Sequence, residues 1–233
     1  MGVIAAALFD VHGNLPALEA VLAEPDTVAA DVVVFGGDLV WGPWPSECLE
    51  LAESLGDRAR FLRGNCETLV LDGPSPQHAW ARERLDAAQR ARIEAWPRTQ
   101  TLEVDGLGPA LFCHATPRDD GETVSPNAPK GAWDQVLTGV AEGVVVCGHT
   151  HLQFELSLDG VRVVSPGSVG APTVHAVAWW ALLGPTVELR KTPYDIESTI
   201  DAAAARVPDV SGFAKWLREP PSWDARLAAL ADE

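Results

Sequence analysis

The sequence predicts an α/β fold built around a mainly parallel β-sheet. Residues 3–9 and the largely apolar residues 31–35 form short runs, as expected for strands buried on both faces, and residues 59–62 form a third short run. Each run ends in a polar turn, and the first two turns lead into amphipathic segments with capping residues. Successive βα units place the carboxyl ends of their strands at one edge of a parallel sheet. We therefore expect the three polar turns to share one edge.

Local signals place the remaining elements along the chain. Asn14 is predicted to cap a helix over residues 15–23, and Ser46 a helix ending near Leu55. Residues 75–96 have the periodicity of one long amphipathic helix, which Pro97 ends. Further strands are expected at 101–104 and 110–113 around Asp105-Gly106, at 144–147, and as antiparallel strands at 153–158, 161–164, 174–183 and 186–191. Helices are expected at 133–137, 195–207, 211–217 and 223–231.

Length and composition favour one α/β domain over the alternative of two small ones. The chain has 233 residues, 47% of them hydrophobic, and contains no internal repeat or low-complexity linker. We expect a single domain over residues 1–233, with a catalytic core at about 3–190 and C-terminal helices at 195–233 packed on it. The oligomeric state cannot be inferred from the sequence.

Charge and hydropathy limit the partners of the chain. The net charge of −16 would repel a nucleic-acid backbone from most of the surface and attract metal ions, so no duplex nucleic acid is expected as a partner. The N-terminus lacks a cationic n-region, and no apolar run is long enough to span a bilayer. The four cysteines form no CxxC pair. A cytoplasmic protein without a membrane partner is expected.

Metal-donor side chains follow the predicted strands. Oxygen and imidazole donors occur just beyond strand ends at seven positions: Asp10, His12, Asp38, Asn65, His114, His149 and His151. Seven donors exceed the needs of one metal ion and suit two divalent ions that share a bridging carboxylate. The alternative is that they are ordinary turn and core residues. Four of the six histidines lie at predicted strand ends with two acids, which packing explains poorly.

The ordered motifs resemble those of the calcineurin-like metallophosphoesterase superfamily over about residues 3–189. They are Asp10-x-His12, Gly37-Asp38, Gly64-Asn65, His114 and Gly148-His149-x-His151. Pro166-Gly167-Ser168 is similar to a turn in the small bacterial and archaeal phosphodiesterase branch. The resemblance implies a four-layer α/β/β/α sandwich of two mixed β-sheets flanked by helices. It also implies one ion held by Asp10, His12, Asp38 and His151, and a second held by Asp38, Asn65, His114 and His149.

The chain departs from the family pattern at two positions. Many members have a histidine after the Gly-Asn pair that is thought to protonate the leaving group, and here that residue is Cys66. A thiol is a weaker proton donor near neutrality, so leaving groups that are stable anions should be favoured. Relatives also have an arginine after the segment ending at Gly170, which is missing here. Arg118 is the candidate replacement, the alternative being a solvated surface arginine.

The resemblance implies a metal-dependent phosphoesterase, with phosphodiesters the first candidate substrates. Hydrolysis would proceed by in-line attack of a hydroxide bridging two divalent transition metal ions, manganese first, with iron, zinc, cobalt or nickel as alternatives. The expected catalytic residues are Asp38, Asn65, His114 and Arg118. The expected partner is a small phosphoester, nucleotides included. Because neutral imidazoles are needed to bind metal, activity should fall below about pH 6.

Other functions remain open at this stage. The same metals could serve a Ser/Thr protein phosphatase or a dinucleoside polyphosphate hydrolase, and the fold could persist as a non-catalytic scaffold. Trp41 and Trp44 closely follow Asp38, so one of them could form a stacking surface for a base or aryl group. Packing beneath the loop is the alternative for both tryptophans.

Overall fold

A computed structural model describes residues 2–231 of the chain. Within them lie ten strands, which in chain order are β1 (Ala5–Leu8), β2 (Val32–Phe35), β3 (Ala59–Phe61), β4 (Thr99–Val104), β5 (Gly108–Cys113), β6 (Val144–Val146), β7 (Gln153–Leu158), β8 (Val161–Pro166), β9 (Ala178–Leu183) and β10 (Val187–Thr192). The helices are α1 (Leu15–Leu22), α2 (Pro25–Ala29), α3 (Pro45–Glu53), α4 (Asn65–Asp72), α5 (Pro76–Glu83), α6 (Ala87–Glu94), α7 (Lys130–Val136), α8 (Ile196–Ala204), α9 (Ser211–Arg218) and α10 (Trp223–Leu230).

The strands form two five-stranded mixed sheets. The first has the order β10-β9-β1-β2-β3, in which β1, β2 and β3 are parallel and β9 runs antiparallel to β1. The second has the order β4-β5-β6-β8-β7, in which β5, β6 and β8 are parallel and β4 and β7 antiparallel to their neighbours. The first three strands therefore end at one edge, as the sequence predicts.

Alternating side chains divide the molecule into four layers. Along β1, Ala5 and Ala7 pack between the sheets, against residues such as Phe112 and Val146 of the second sheet. The intervening Ala6 and Leu8 pack against α1 and α3 on the other face. The outer face of the second sheet is covered by α7 and α10. The arrangement is the expected α/β/β/α sandwich, with both sheets buried between helices.

The structure corrects the single long helix predicted over residues 75–96. Two helices, α5 and α6, lie there instead, and the chain turns between Arg84 and Asp86. The Asp86 carboxylate accepts the Gln89 N–H at 2.7 Å, and the Gln89 amide oxygen accepts the Asp86 N–H at 2.8 Å. This capping box begins a new helix and outweighs the continuous amphipathic pattern.

Smaller differences concern element boundaries. The strand predicted from Val174 begins at Ala178, because Val174 adopts a left-handed φ of 65° and donates its N–H to Pro221 O, outside the sheet. Two short helices, α2 and α4, were not predicted. Asn14 caps α1 as expected, since its side-chain oxygen accepts the Ala17 N–H.

The C-terminal helices contact the sandwich at several points. Trp216 of α9 donates its indole N–H to Pro172 O at 2.7 Å, and Arg226 of α10 donates to Thr150 O at 2.9 Å. The Phe213 ring lies 6.5 Å from the ring of Trp44. These contacts hold α9 and α10 beside the loops that follow β2 and β6. No helix within residues 2–231 is long and apolar enough to cross a lipid bilayer.

Candidate metal centre

The structure brings the seven predicted donor residues together at the carboxyl ends of parallel strands from both sheets. This group of residues is called the metal rim. Asp10 and His12 follow β1, Asp38 follows β2, and Asn65 opens α4 after β3. The second sheet contributes His114, beyond β5, together with His149 and His151, beyond β6. Asp10, His12, Asp38, His114 and His151 are all at most 8% exposed. The site is therefore a buried cluster of polar side chains between two sheets, not the edge of one.

An unusual backbone conformation aims these side chains into the cluster. Seven non-glycine residues in the described part of the chain have a positive φ, and five of them are predicted donors: Asp10, His12, Asp38, His149 and His151. The left-handed region is costly for residues with a Cβ and is concentrated at functional sites. The backbone thus accepts local strain at the strand ends, where it directs the donors inward.

Two glycines let backbone segments approach the carboxylates closely. A Cβ at Gly148 would lie 2.5 Å from Asp10 Oδ2, and one at Gly64 would collide with Asp38 Oδ1. These close approaches allow two hydrogen bonds that fix the carboxylates. The His149 N–H donates to Asp10 Oδ2 at 3.0 Å, and the Cys66 N–H donates to Asp38 Oδ1 at 2.8 Å. Gly64 and Gly148 are therefore spatial requirements of the site.

Asp10, His12 and His151 form the first donor group. The Nε2 atoms of His12 and His151 lie 2.9 Å apart, and Asp10 Oδ1 lies 3.4 Å from His151 Nε2 and 3.8 Å from His12 Nε2. Donor atoms from all three residues lie within 4.8 Å of one another. Two imidazoles and one carboxylate at this spacing match the ligand types of a divalent transition metal.

Asn65, His114 and His149 form the second donor group. Asn65 Oδ1 lies 3.0 Å from His114 Nε2 and 3.1 Å from His149 Nδ1. An amide oxygen facing two ring nitrogens is a second set of oxygen and imidazole donors, next to the first. The two groups contain all the predicted ligands except Asp38.

Asp38 lies between the two groups. Its Oδ2 is 3.9 Å from His12 Nε2 in the first group, and its Oδ1 is 3.4 Å from His114 Nε2 in the second. His114 Nε2 also lies 3.9 Å from Asp10 Oδ1, so a carboxylate of the first group is near the second as well. One carboxylate with an oxygen toward each group is the arrangement that a bridging ligand requires.

Hydrogen bonds on the far side of the rings set their orientation. His114 Nδ1 lies 2.9 Å from Gly36 O, and His151 Nδ1 lies 3.0 Å from Ala171 O. Each ring therefore donates its Nδ1–H to a carbonyl and directs Nε2 into the cluster, as metal-binding histidines do. His149 uses its Nε2 toward Thr123 Oγ1, at 3.1 Å, and presents Nδ1 to Asn65.

Burial and the carboxylates shift the pKa values of the cluster in opposite directions. Burial lowers the pKa of His12 to about 4, helped by the nearby His151. Burial has the same effect on His114, but Asp38 and then Asp10 outweigh it and raise its pKa to about 10. Burial alone would raise the pKa of Asp38, yet His114 and His12 hold it well below its usual range. Without metal, therefore, a proton on His114 offsets part of the negative charge of the two carboxylates.

The metals implied by the fold family fit these residues. Among the described side chains, buried Asp10 Oδ1 and His12 Nδ1 lack a hydrogen-bond partner. An orphaned carboxylate oxygen beside converging ring nitrogens is costly without a cation. The donors are imidazole, carboxylate and amide oxygen, which suit manganese, iron, cobalt, nickel or zinc.

Glu67 is a residue of the site that the sequence analysis missed. It is fully buried, and its carboxylate accepts the backbone N–H groups of Asp38, Leu39, Val40 and Gly64 at 2.7–3.2 Å. Burial and the Asp38 charge raise its pKa to about 7, against the four N–H donors that favour the charged form. Its position three residues after Gly64, at the start of α4, is the local signal of a capping glutamate.

Cys66 and Arg118 lie in different environments. The Cys66 thiol is 7% exposed, and burial followed by the Asp38 charge raises its pKa well above the ordinary value, so it remains protonated at neutral pH. Arg118 has an exposed side chain whose guanidinium contacts the Glu122 carboxylate and Gln135 O. It touches none of the donors in the described contacts. Its catalytic role therefore stays a prediction.

The family of the chain follows from its sequence match. The model of the calcineurin-like phosphoesterase superfamily domain matches residues 3–184. The chain belongs to this superfamily and is accordingly a hydrolase acting on phosphoester bonds. A search of curated proteins finds no significant match.

Solved structures with a similar fold include small bacterial and archaeal proteins. A metallophosphoesterase from Sphaerobacter thermophilus has a TM-score of 0.74 at 22% identity, covering 94% of this chain and 99% of its own. A hypothetical protein from Pyrococcus horikoshii OT3 has a TM-score of 0.77 at 19% identity, covering 91% and 97%. An archaeal phosphodiesterase has a TM-score of 0.52 at 17% identity, covering 81% and 99%. At these identities the likeness shows a shared fold.

Proposed function

We propose that the chain is a phosphodiesterase that acts on small phosphoesters with two divalent transition metal ions, manganese being the first candidate. The observation that carries this proposal is the position of Asp38, with one oxygen toward each of two donor groups. The archaeal phosphodiesterase of similar fold supports the choice of diesters. We also propose that residues 1–233 act as one domain, since α9 and α10 contact the loops of the rim.

Each donor group would hold one ion. Asp10, His12 and His151 would hold the first, Asn65, His114 and His149 the second, and Asp38 would contact both. When bound, such ions supply Lewis acidity toward phosphoryl oxygens and lower the pKa of water to near neutrality. The left-handed backbone and the carbonyls of Gly36 and Ala171 keep the donors in place before substrate arrives.

Asn65 has a second use at this site. Its Oδ1 faces the two ring nitrogens of its group, while the only described contact of its Nδ2 is a long one, 3.9 Å, to the Cys66 sulfur. An amide can therefore offer its oxygen to a cation and donate N–H to a phosphoryl oxygen at the same time, which a carboxylate cannot do. Asn65 would orient the phosphate for in-line attack.

Departure of the leaving group would receive little help from a protein acid. Cys66 occupies the position of the family's proton donor, and its raised pKa makes the thiol a weak acid. Esters of acidic alcohols and phenols should therefore react fastest. Arg118 would assist only after releasing Glu122, and it remains the candidate for binding a phosphoryl oxygen.

A substrate panel tests the proposed function. Purified protein is assayed with p-nitrophenyl phosphate, bis(p-nitrophenyl) phosphate and unactivated alkyl diesters, each with manganese, zinc, cobalt, nickel or iron. We expect hydrolysis of the activated diester that a chelator abolishes and manganese restores. Asn65→Ala should lower kcat, while Asn127→Ala, at an exposed position with no described contact to the donors, should not. A rate unaffected by chelation would overturn the proposal, and a protein that binds no metal would indicate a non-catalytic scaffold.

A further inference from the structure

A large apolar cavity adjoins the metal rim. Its volume is about 520 Å³, and His12 and His151 of the first donor group form part of its wall. A cavity of this size can receive the organic part of a small molecule. Because two donor rings line it, a group held there is next to the site at which the phosphoryl group would bind.

The rest of the wall is largely aromatic. Trp41 and Trp80 line the cavity together with Phe213 and Trp216 of α9. The Trp41 ring centroid lies 5.6 Å from that of His12, and the Trp216 ring centroid lies 5.7 Å from that of His151. In both pairs an indole ring packs next to a donor ring, so the cavity wall is continuous with the metal rim.

The wall contributed by α9 lies beyond the matched family domain. The family model ends at residue 184, whereas α9 spans Ser211–Arg218. The helix is fixed by the Trp216 hydrogen bond to Pro172 O and by packing of Phe213 against Trp44. Helix α9 therefore lines the cavity beside the first donor group, and its sequence shapes the space available to a substrate.

The described residues that line the cavity include no lysine or arginine that could bind a second anion. Apart from the two histidines, Asp209 is the only ionisable residue among those that line it in the described part of the chain, and neither lysine nor arginine is among them. A ligand portion carrying a further phosphate or carboxylate would lose hydration without gaining a cation. An uncharged aromatic ring, by contrast, gains apolar contact and ring stacking.

We propose that this cavity binds an uncharged aromatic substituent of the phosphoester while the phosphoryl group binds at the metal rim. The inference rests on the proposed function and names its substrate class. It disfavours dinucleoside polyphosphates, whose additional phosphates would enter a cavity lined by Asp209 and apolar rings.

Two phosphonates with the same charged group and different substituents test this directly. Methylphosphonate and 2-naphthylmethylphosphonate are measured as competitive inhibitors of manganese-dependent hydrolysis and by calorimetry. We expect the naphthyl compound to bind about tenfold more tightly or better, because burial of an aromatic group is favourable by more than one tenfold step in affinity. Equal inhibition constants would overturn the inference.

A filled cavity provides the decisive variant. Gly212 lines the cavity near the start of α9, and a Cβ there would meet nothing within 4 Å. Gly212→Phe should reduce the ratio of the two inhibition constants toward one. The matched control is Gly131→Phe, at the equivalent second position of α7, where a Cβ is equally unhindered. This control should keep the wild-type ratio, and loss of the ratio in both variants would contradict the assignment.

A neutral probe separates failure of this inference from failure of the proposed function. Binding of 2-naphthalenemethanol to the metal-free protein is followed by calorimetry, which requires neither metal nor catalysis. Binding that Gly212→Phe weakens, in a protein that never hydrolyses phosphoesters, would reject the proposed function and keep the cavity. Manganese-dependent hydrolysis with no naphthyl preference and no binding of the neutral probe would reject the cavity alone.

Discussion

The metal rim and the neighbouring aromatic cavity share His12 and His151 but otherwise use different elements of the fold. The rim uses polar residues at strand ends between Asp10 and His151, all inside the matched family domain. The cavity uses apolar rings from α9 and from Trp41 and Trp80, and α9 follows that domain. The difference indicates that the strand ends of the sandwich position the metal-donor residues, while helices outside the sheets help to determine which substituents of a substrate fit beside them.

The largest effect should come from removing the residue shared by the two donor groups. Asp38→Ala leaves His12 and His114 without their common carboxylate. We expect kcat/KM for the activated diester to fall by about a thousandfold or more, since loss of one preorganised electrostatic group can cost that much. The exposed Asp57→Ala is the control. An Asp38→Ala protein with wild-type activity would show that the rim is not the catalytic site.

The next effect concerns the loop that carries Asp38. Glu67→Gln replaces a carboxylate that accepts four backbone N–H groups by an amide whose NH2 cannot accept. We expect a loss of about 1–3 kcal/mol in the free energy of unfolding, because buried donors lose their partners. Metal affinity should fall with it, whereas affinity of the metal-free protein for 2-naphthalenemethanol should be preserved. Thermal unfolding and calorimetry of the wild type and of Glu67→Gln measure these changes. A stable variant with normal metal affinity would argue against a positioning role.

Metal binding should release a proton from the metal rim. Asp38 and Asp10 overcome the effect of burial and raise the pKa of His114 to about 10, so the ring is protonated at pH 7 without metal. A metal needs the Nε2 lone pair, and its affinity should therefore rise about tenfold per pH unit until the pH reaches that pKa. Calorimetry of manganese binding at pH 7 in buffers of different ionisation enthalpy should show about one proton released. Uptake of protons, or none exchanged, would contradict this picture.

The smallest effect is expected from a substitution of Trp41, which lies where the metal rim and the cavity meet. Trp41 is half-buried, lines the cavity and contacts the His12 ring edge-on. Trp44, in contrast, is 5% exposed and packs against Phe213. Trp41→Ala should lower the preference for the naphthyl phosphonate over methylphosphonate by about threefold to tenfold, the range for loss of one aromatic contact. An unchanged ratio would confine the aromatic subsite to α5 and α9.

Much of the rim could be predicted because its signals are local. A donor after a short apolar run, as at Asp10 or His149, needs only the order of residues to be recognised. Glu67 was missed because its partners at Asp38, Leu39 and Val40 lie 27–29 residues away. The division of residues 75–96 was missed because a strong amphipathic pattern hid the Asp86 cap.

The cavity could not be predicted from sequence, for a different reason. Its aromatic residues are spread from Trp41 to Trp216 and share no spacing. Trp41 was considered as a stacking surface, but nothing in the sequence placed α9 opposite it. Convergence of helices from distant segments depends on tertiary packing, which local periodicity does not contain.

The most direct test of the central claim is the number of manganese ions bound by the purified protein. Titration by calorimetry, checked by elemental analysis after gel filtration, should give two ions per chain in the wild type. Asn65→Ala, which removes one donor from the second group alone, should weaken the second binding step and leave the first nearly unchanged. Two bound ions that depend on Asp10, His151 and Asn65 would agree with the account. A protein that binds no divalent metal at millimolar concentration would contradict it.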